Sequence, residues 1–491
     1  MNKQKNNFFS NNLSRHRFAT IICTIGPTCN TLDMLKRLIY AGMNVARLNF
    51  SHGTHEEKKQ LIKLIRKAEK ETGKTIAILQ DLQGPKLRVG ELKGGGPINL
   101  INDSTVILTT ESGFGTAEKF YVDYKNLPDE VKSGDPVLLA DGTIALQVIS
   151  KTKTEVKCKI IHGGKLYPRK GVNLPGVKMS VPSLTPKDVK DLKFGVEHGV
   201  DWIALSFVRE AKDIINLRAR IKKLRSSLKK LPTSIPPKII AKIEKPEAVD
   251  NLDDILDKTD CIMVARGDLG VELSISKVPI IQKEMIHLAN KIGKPVVTAT
   301  QMLESMTHAA IPTRAEASDV ANAIFDGTDA VMLSAETAFG KFPEEAVKAL
   351  NLISRQAEYS HLFNPGCCEI KSNTMHAIAA SASDTAEEIN ASSVVVYTYS
   401  GNAAIKVASF RPKRPILALC TNIDVARQLM IYWNIKTITV PECKTLKKMI
   451  NLADKKVIEA NCGKSGDSYV LIAGTPGESG KTAFLHVRKL K

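Results

Sequence analysis

At 491 residues the chain exceeds one ordinary domain, and its 43% hydrophobic and 25% charged residues suit about three folded units with large cores. No stretch approaches the ~18 uninterrupted apolar residues of a membrane span, and the opening MNKQKNNFFSNNLSRHR (1–17) lacks the apolar centre of a secretory signal. The net charge of +19 raises nucleic acid as a partner, but the surplus lies on amphipathic helices such as 58–70 and 218–230, and two Trp without an RNA-binding aromatic cluster argue against it.

From residue 18 the chain alternates apolar β-branched runs with helical stretches. FATIICTIG (18–26) is the first strand, followed by a helix over 31–42; MNVARLNF (43–50) is followed by a helix over 54–73; TIAILQDL (75–82) is the third strand. The rhythm then breaks. Residues 89–176 are rich in Gly, Pro, Thr and short alternating strands, the texture of a small inserted β-barrel domain. It resumes with a helix over 185–199 and strands at 200–208, 238–244, 260–267, 295–301 and 329–336, each followed by a helix, PEAVDNLDDILDKT (246–259) being read as one. Eight such units predict an α/β fold, a (β/α)8 TIM barrel over 18–88 and 177–359, with the insertion after the third strand as a lid. Beyond 360, strands at 394–400, 415–421, 437–442, 469–475 and 482–490 alternate with helices at 376–389, 403–410 and 423–433, predicting a C-terminal α/β regulatory domain over 360–491. The first 17 residues read as a flexible tail, and the protein as cytoplasmic.

Nine cysteines form no CxxC, and Cys367 and Cys368 are adjacent, so neither a disulfide framework nor a zinc site fits. GTPGESGKT (474–482) imitates a phosphate-binding loop but has five residues between Gly474 and Gly480 instead of four, and it leads into a strand.

Barrel enzymes carry their reacting groups at the C-terminal ends of the strands. Strand two ends with Arg47, Asn49 and Ser51 on one side, then His52; strand three ends in Asp81 and leads to Lys86 and Arg88. Strand five ends with Lys242 and Glu244 on the face of Ile240, pointing to the barrel axis, where an unpaired charge is costly. Strand six leads into Arg266, Gly267, Asp268 and Glu272, strand seven into Thr300 and Gln301, strand eight into Ser334 and Glu336. Glu244 and Asp268, on adjacent strands, form an oxygen site suited to Mg²⁺, while Arg47 and Lys242 offer positive charge to a transferring phosphoryl group. A turn over 267–270 could present backbone N–H groups to an anion.

These residues carry a family resemblance. ICTIGP (22–27), MNVARLNFSHG (43–53), GPKLRVG (84–90), IAKIEKPE (240–247), MVARGDLGVE (263–272), TATQMLESM (298–306) and TRAEASDVANAIFDGTDAVMLSAET (313–337) together resemble pyruvate kinase, in order and over nearly the whole chain. The resemblance implies phosphoryl transfer from phosphoenolpyruvate to ADP, giving pyruvate and ATP, in a cytoplasmic homotetramer with no membrane or nucleic-acid partner. It implies that Arg47, Lys242, Gly267, Asp268 and Thr300 bind substrate, that Arg47, Lys242 and Thr300 are catalytic, and that Glu244 and Asp268 hold Mg²⁺ or Mn²⁺. Asn49, His52, Arg88 and Lys170 match nucleotide-side positions.

Family members that need K⁺ have Glu at position 86, whereas this chain has Lys86. The implied monovalent-cation pocket of Asn49, Ser51, Asp81 and Leu82 is therefore expected to be served by the Lys86 ammonium, without a K⁺ requirement. TYSGNAAIK (398–406) resembles the family's sugar-phosphate loop through Thr398, Ser400 and Gly401 but departs at Tyr399 and Ala403, which disfavours fructose 1,6-bisphosphate as effector. Two other readings stand beside this one: a Mg²⁺-dependent lyase of phosphoenolpyruvate, which would not need ADP, and a basic nucleic-acid-binding or scaffold protein, which would not need Lys242, Glu244 and Asp268 intact.

Overall fold

The computed structural model describes residues 16–364, 366, 368–369, 373–474 and 482–491. Eight parallel strands close into a barrel: β1 (Thr20–Thr24), β2 (Val45–Asn49), β3 (Ala77–Asp81), β4 (Trp202–Leu205), β5 (Lys238–Ile243), β6 (Cys261–Ala265), β7 (Val296–Ala299) and β8 (Ala330–Leu333). Closure is made where β1 pairs with both β2 and β8. Alternation sorts the strand residues, so that Ile22, Val45, Leu79, Ala204, Ile240 and Met263 fill the interior while Ile21, Ala46, Ile78 and Ile239 pack against the outer helices. The helices start where their sequences say they should. Thr54, Thr185 and Thr313 each accept from the N–H three residues on, and Glu57, Asp188 and Glu316 return the bond to the cap, closing three capping boxes.

The chain leaves the barrel after β3 and builds a seven-stranded sheet running in space from Leu87–Arg88 to Lys119–Tyr121. A bridge between Val89 and Val122 joins its two edges, so the sheet curls on itself around Val106, Leu108, Phe120 and Val156. The C-terminal part is a five-stranded sheet, Ile435–Thr439, Ile416–Cys420, Val394–Thr398, Ser468–Gly474 and Thr482–Lys489 in spatial order, with only the last strand antiparallel. It sits against the N-terminal end of the barrel: Trp202 Nε1 donates to the Gln428 carbonyl at 3.2 Å, and Arg411 pairs with Asp329 at 2.9 Å. Residues 16–19 are tied down, with the Phe18 ring against Tyr359 and Trp433 and the Glu358 carboxylate accepting from the Phe18 and Ala19 amides.

Several local expectations change. The 246–259 stretch is two helices, Pro246–Asp250 and Leu252–Lys258, because Asn251 leaves helical geometry. The 423–433 helix stops at Gln428 and ends in a tighter turn over Leu429–Ile431. Leu446–Glu459 is a helix that the strand-led reading of the C-terminal part passed over, although Met449, Ala453 and Val457 recur at helical spacing on its buried side. Eight cysteines are free and buried; Cys367, and residues 475–481 of the imitation phosphate loop, lie outside the described residues. Among the described residues no helix is long and apolar enough to cross a membrane.

Candidate active site

The interior rows of the barrel change character at one end. Val45 is followed two residues on by Arg47, Leu79 by Asp81, Ala204 by Ser206, and Ile240 by Lys242 and then Glu244. Because the side-chain period is two, each apolar interior row delivers its next residue into the mouth of the barrel, and four rows deliver ionisable or hydroxyl groups.

These groups meet. Arg47 binds Asp81 Oδ2 through Nε at 2.7 Å and donates to Thr24 Oγ1 at 2.8 Å. Lys242 Nζ lies 2.8 Å from Ser206 Oγ, 2.8 Å from Glu244 Oε1 and 3.4 Å from Asp81 Oδ1. Glu244 Oε2 accepts from the Phe207 amide at 2.7 Å, made possible by the left-handed backbone of Phe207 (φ 54°). Burial disfavours the Lys242 ammonium, but Asp81, Glu244 and Asp268 outweigh it and raise its pKa. Burial also works against the Asp81 carboxylate, yet Lys242 and Arg47 hold its pKa below the usual carboxylate range. Glu244 is raised by burial, against the pull of Lys242, with the neighbouring Asp268 charge adding to the rise.

Gly267 and Asp268 lie in the first turn of a short helix, Arg266–Glu272, where a simple turn was expected. The Gly267 amide donates to Thr300 Oγ1 at 2.9 Å, and that hydroxyl donates to the Ala299 carbonyl at 2.6 Å. Thr300 and Gln301 both have left-handed backbone (φ 68° and 54°), which breaks the alternation of β7 and turns the Thr300 hydroxyl to the helix. Arg266 holds this turn from behind, donating to the Thr300 carbonyl at 2.7 Å and pairing with Asp319 at 2.7 Å. Glu272 is buried against Lys245 at 2.6 Å and also accepts from Asn173 of the insertion at 2.9 Å. Ser334 and Glu336 do not join the cluster: Glu336 is buried and accepts from the Ser334 and Leu303 amides.

Asn49 and His52 line a cleft of about 480 Å³ whose wall includes Thr24, the residue to which Arg47 donates. Burial lowers the His52 pKa, and Arg88, Lys58, Lys86 and Lys187 lower it further, so the ring is neutral near pH 7. Arg88 and Lys170 do not line this cleft; they sit at the root of the insertion, where Arg88 donates to the Arg169 carbonyl at 3.0 Å and the Val89 amide to the Lys170 carbonyl at 2.9 Å. Of the remaining residues singled out in the sequence, Asn49 Oδ1 accepts from the Ser51 amide at 3.0 Å, and the Leu82 carbonyl accepts from Ser206 Oγ at 2.6 Å. Lys86 turns inward, its ammonium 3.5 Å from Asp268 and 4.0 Å from Asp141 of the insertion.

Ser206 and Asp141 were not picked out from the sequence. The alternation Trp202, Ala204, Ser206 would have found the first; the second comes from a remote loop and left no local signal. The residues that could hold a divalent cation are Glu244 and Asp268. Glu244 Oε1 is buried with no hydrogen-bond partner, only the ionic contact to Lys242, and the donors are oxygens, as a hard cation requires.

Comparison with known proteins accords with this geometry. The family model described as pyruvate kinase, barrel domain, matches residues 16–347, and that described as pyruvate kinase, alpha/beta domain, matches residues 376–488. Curated pyruvate kinases of Staphylococcus aureus strains MRSA252 and USA300 are each 44% identical to the chain over 478 residues, covering 96% of it and 80% of their own length. A crystal structure of a pyruvate kinase from Cryptosporidium parvum is similar with a TM-score of 0.89 and 38% identity, over 97% of this chain and 96% of that one.

Proposed function

The chain belongs to the pyruvate kinase family, and from that premise we propose which of its residues carry the reaction. The enzyme is a phosphotransferase: it moves the phosphoryl group of phosphoenolpyruvate to ADP, giving pyruvate and ATP in the final step of glycolysis, and requires a divalent cation. The observation that carries the residue assignment is the convergence of Arg47, Asp81, Ser206, Lys242 and Glu244 from four interior rows into one buried charged network.

In this reading the phosphoryl group lies between Arg47 and Lys242. As the bond from phosphorus to the enol oxygen breaks and one to the terminal phosphate oxygen of ADP forms, negative charge spreads over the transferring group. Lys242, already fixed by Asp81, Glu244 and Ser206, meets that charge without reorganising, which is where a preorganised cation is most effective. The Gly267 and Asp268 amides at the helix start, with the Thr300 hydroxyl, orient the carboxylate and phosphate end of the substrate. The enolate left behind takes a proton at its methylene carbon, and in this reading Thr300 is the candidate to pass it on from water. Glu244 and Asp268 would hold Mg²⁺ or Mn²⁺, which when bound offsets the carboxylates' charge and polarises the phosphoryl oxygens.

Asn49 and His52 take the nucleotide side of the reaction. Arg88 and Lys170 stand at the root of the insertion and reach the nucleotide when the insertion closes as a lid. Lys86 supplies the unit charge for which other members of the family recruit K⁺ near Asn49, Ser51, Asp81 and Leu82. It approaches from the side of Asp268, while Asp81 is neutralised by Arg47 and Lys242. The assembly is a cytoplasmic homotetramer without membrane or nucleic-acid partners. Its C-terminal α/β part, residues 360–491, is regulatory and does not take fructose 1,6-bisphosphate as its activator. Replacement of Lys242 by Met tests the assignment: kcat should fall about 100- to 1,000-fold while the fold is kept.

A further inference from the structure

Lys245 and Glu272 form an ion pair of 2.6 Å that the reaction as described does not use, and both side chains are almost wholly buried. A buried pair of this kind adds little stability over apolar residues of similar volume, because the desolvation of two charges offsets most of their attraction. Its place in the chain is what distinguishes it. Lys245 directly follows Glu244, and Glu272 stands four residues after Asp268, one turn on along the helix Arg266–Glu272. Each partner is therefore attached to one of the two carboxylates assigned to the divalent cation.

Both attachments are stiff. The Lys245 carbonyl accepts from the Ala248 amide at 3.0 Å and begins the helix Pro246–Asp250. Its ammonium lies 6.0 Å from the centre of the Phe207 ring, and the Phe207 amide is the donor that holds Glu244 Oε2. The helix Arg266–Glu272 is fixed at its start by Arg266, which pairs with Asp319, and by the Gly267 amide on Thr300. The ion pair fixes its other end. The same oxygen, Glu272 Oε1, also accepts from Asn173 Nδ2 at 2.9 Å. Asn173 lies on the strand Gly171–Asn173, which pairs with Leu87–Arg88 and leads the chain back out of the insertion. Glu272 Oε2 is buried without a hydrogen-bond partner among the described residues, which gives Asn173 a second acceptor on the same carboxylate as the insertion moves.

We propose that Lys245 and Glu272 are positioning residues that set the separation of Glu244 and Asp268 for the divalent cation, with Asn173 tying that separation to the hinge of the insertion. This rests on the assignment of Glu244 and Asp268 as the metal ligands. Lys245 and Glu272 act as outer partners that orient the ligands, and loss of such partners weakens metal binding about 10- to 100-fold. A role through charge alone makes the opposite forecast for one partner. Lys245 would then repel the cation and Glu272 attract it, so deleting the lysine would tighten binding and deleting the glutamate would weaken it. Positioning requires that both deletions weaken it.

The test measures Mn²⁺ binding to the full-length, substrate-free enzyme from the electron paramagnetic resonance signal of the free ion, with backbone hydrogen exchange of residues 171–173 as a second readout. Lys245→Met, Glu272→Gln and the paired Lys245→Met/Glu272→Leu should each raise the Kd for Mn²⁺ about tenfold or more. The paired variant replaces the ion pair by apolar side chains, keeps the net charge, and carries the decision if a single variant does not fold. In the wild type Mn²⁺ should slow exchange at 171–173, and Asn173→Ala should remove that slowing. If Lys245→Met tightens Mn²⁺ binding, or the paired variant binds it as the wild type does, the pair acts through charge or not at all, and positioning is overturned. Exchange at 171–173 that is indifferent to Mn²⁺ in the wild type overturns the link to the hinge. Glu244→Ala and Asp268→Ala separate these failures from that of the underlying reading. If neither weakens Mn²⁺ binding, the ligand assignment itself falls; if both do while the paired variant does not, the ligands stand without the positioning pair.

Discussion

Replacing Lys242 by Met keeps most of the length of the side chain and deletes the charge that Ser206, Glu244 and Asp81 surround. Nζ lies 2.8 Å from Glu244 and 3.4 Å from Asp81, and both carboxylates are almost wholly buried. At an effective dielectric of about 20 these contacts correspond to gross attractions of about 6 and about 5 kcal/mol, much of which offsets the desolvation of the three charges. The net loss on removing one partner of such a cluster is about 3–5 kcal/mol. For the reaction, loss of one preorganised donor aimed at developing charge costs about 3–4 kcal/mol, a fall in kcat of about 100- to 1,000-fold. The assay is pyruvate formation coupled to NADH oxidation, with circular dichroism and thermal melting from pH 5 to 8. The melts carry an independent sign. In the wild type the depressed Asp81 contributes stability that is lost only as pH falls through its low folded pKa, and the raised Lys242 contributes stability lost only as pH rises through its high one. Neither crossing lies between pH 5 and 8. Without Lys242 the carboxylates should bind protons more readily in the folded state, so the variant should regain stability as pH falls across that window. A folded variant that keeps more than about a tenth of the wild-type kcat would refute the reasoning, as would a stability profile parallel to that of the wild type.

Glu244→Ala and Asp268→Ala should each raise the Mg²⁺ concentration needed for half-maximal rate, and an unchanged metal dependence in both would rule the pair out as ligands. Activity in tetramethylammonium salts at fixed Mg²⁺ should change little when KCl is added, whereas Lys86→Glu should become K⁺-dependent; strong stimulation of the wild type would overturn the role of Lys86. Fructose 1,6-bisphosphate at micromolar concentration should not activate the enzyme at subsaturating phosphoenolpyruvate, because Tyr399 and Ala403 offer fewer phosphate donors than a basic or hydroxyl residue would; marked activation would contradict this.

The barrel was legible because its strands are near-continuous apolar runs separated by helices with their own capping signals, and period-two alternation carries over from Ile240 to Lys242 and Glu244 without help from tertiary context. Where alternation fails, the sequence names the residue but not where its side chain points. Thr300 reaches the Gly267 amide only because its backbone turns left-handed, which no local preference of threonine announces. Glu336 sits at a strand end like Glu244, yet it binds backbone amides around its own short helix. Polarity at a strand end marks a candidate; the turn that follows decides where the group points. Asp141, reaching Lys86 from a loop of the insertion, depends on how two sheets meet, and that information is spread over the whole chain.

The most direct test of the central claim is the stoichiometry of the reaction with phosphoenolpyruvate, Mg²⁺ and ADP, following pyruvate and ATP together. Pyruvate and ATP should appear in equal amounts, and neither should form when ADP or the divalent cation is withheld. Loss of phosphoenolpyruvate without ADP, or pyruvate formed without matching ATP, would contradict phosphoryl transfer to a nucleotide and favour a lyase or hydrolase on the same barrel.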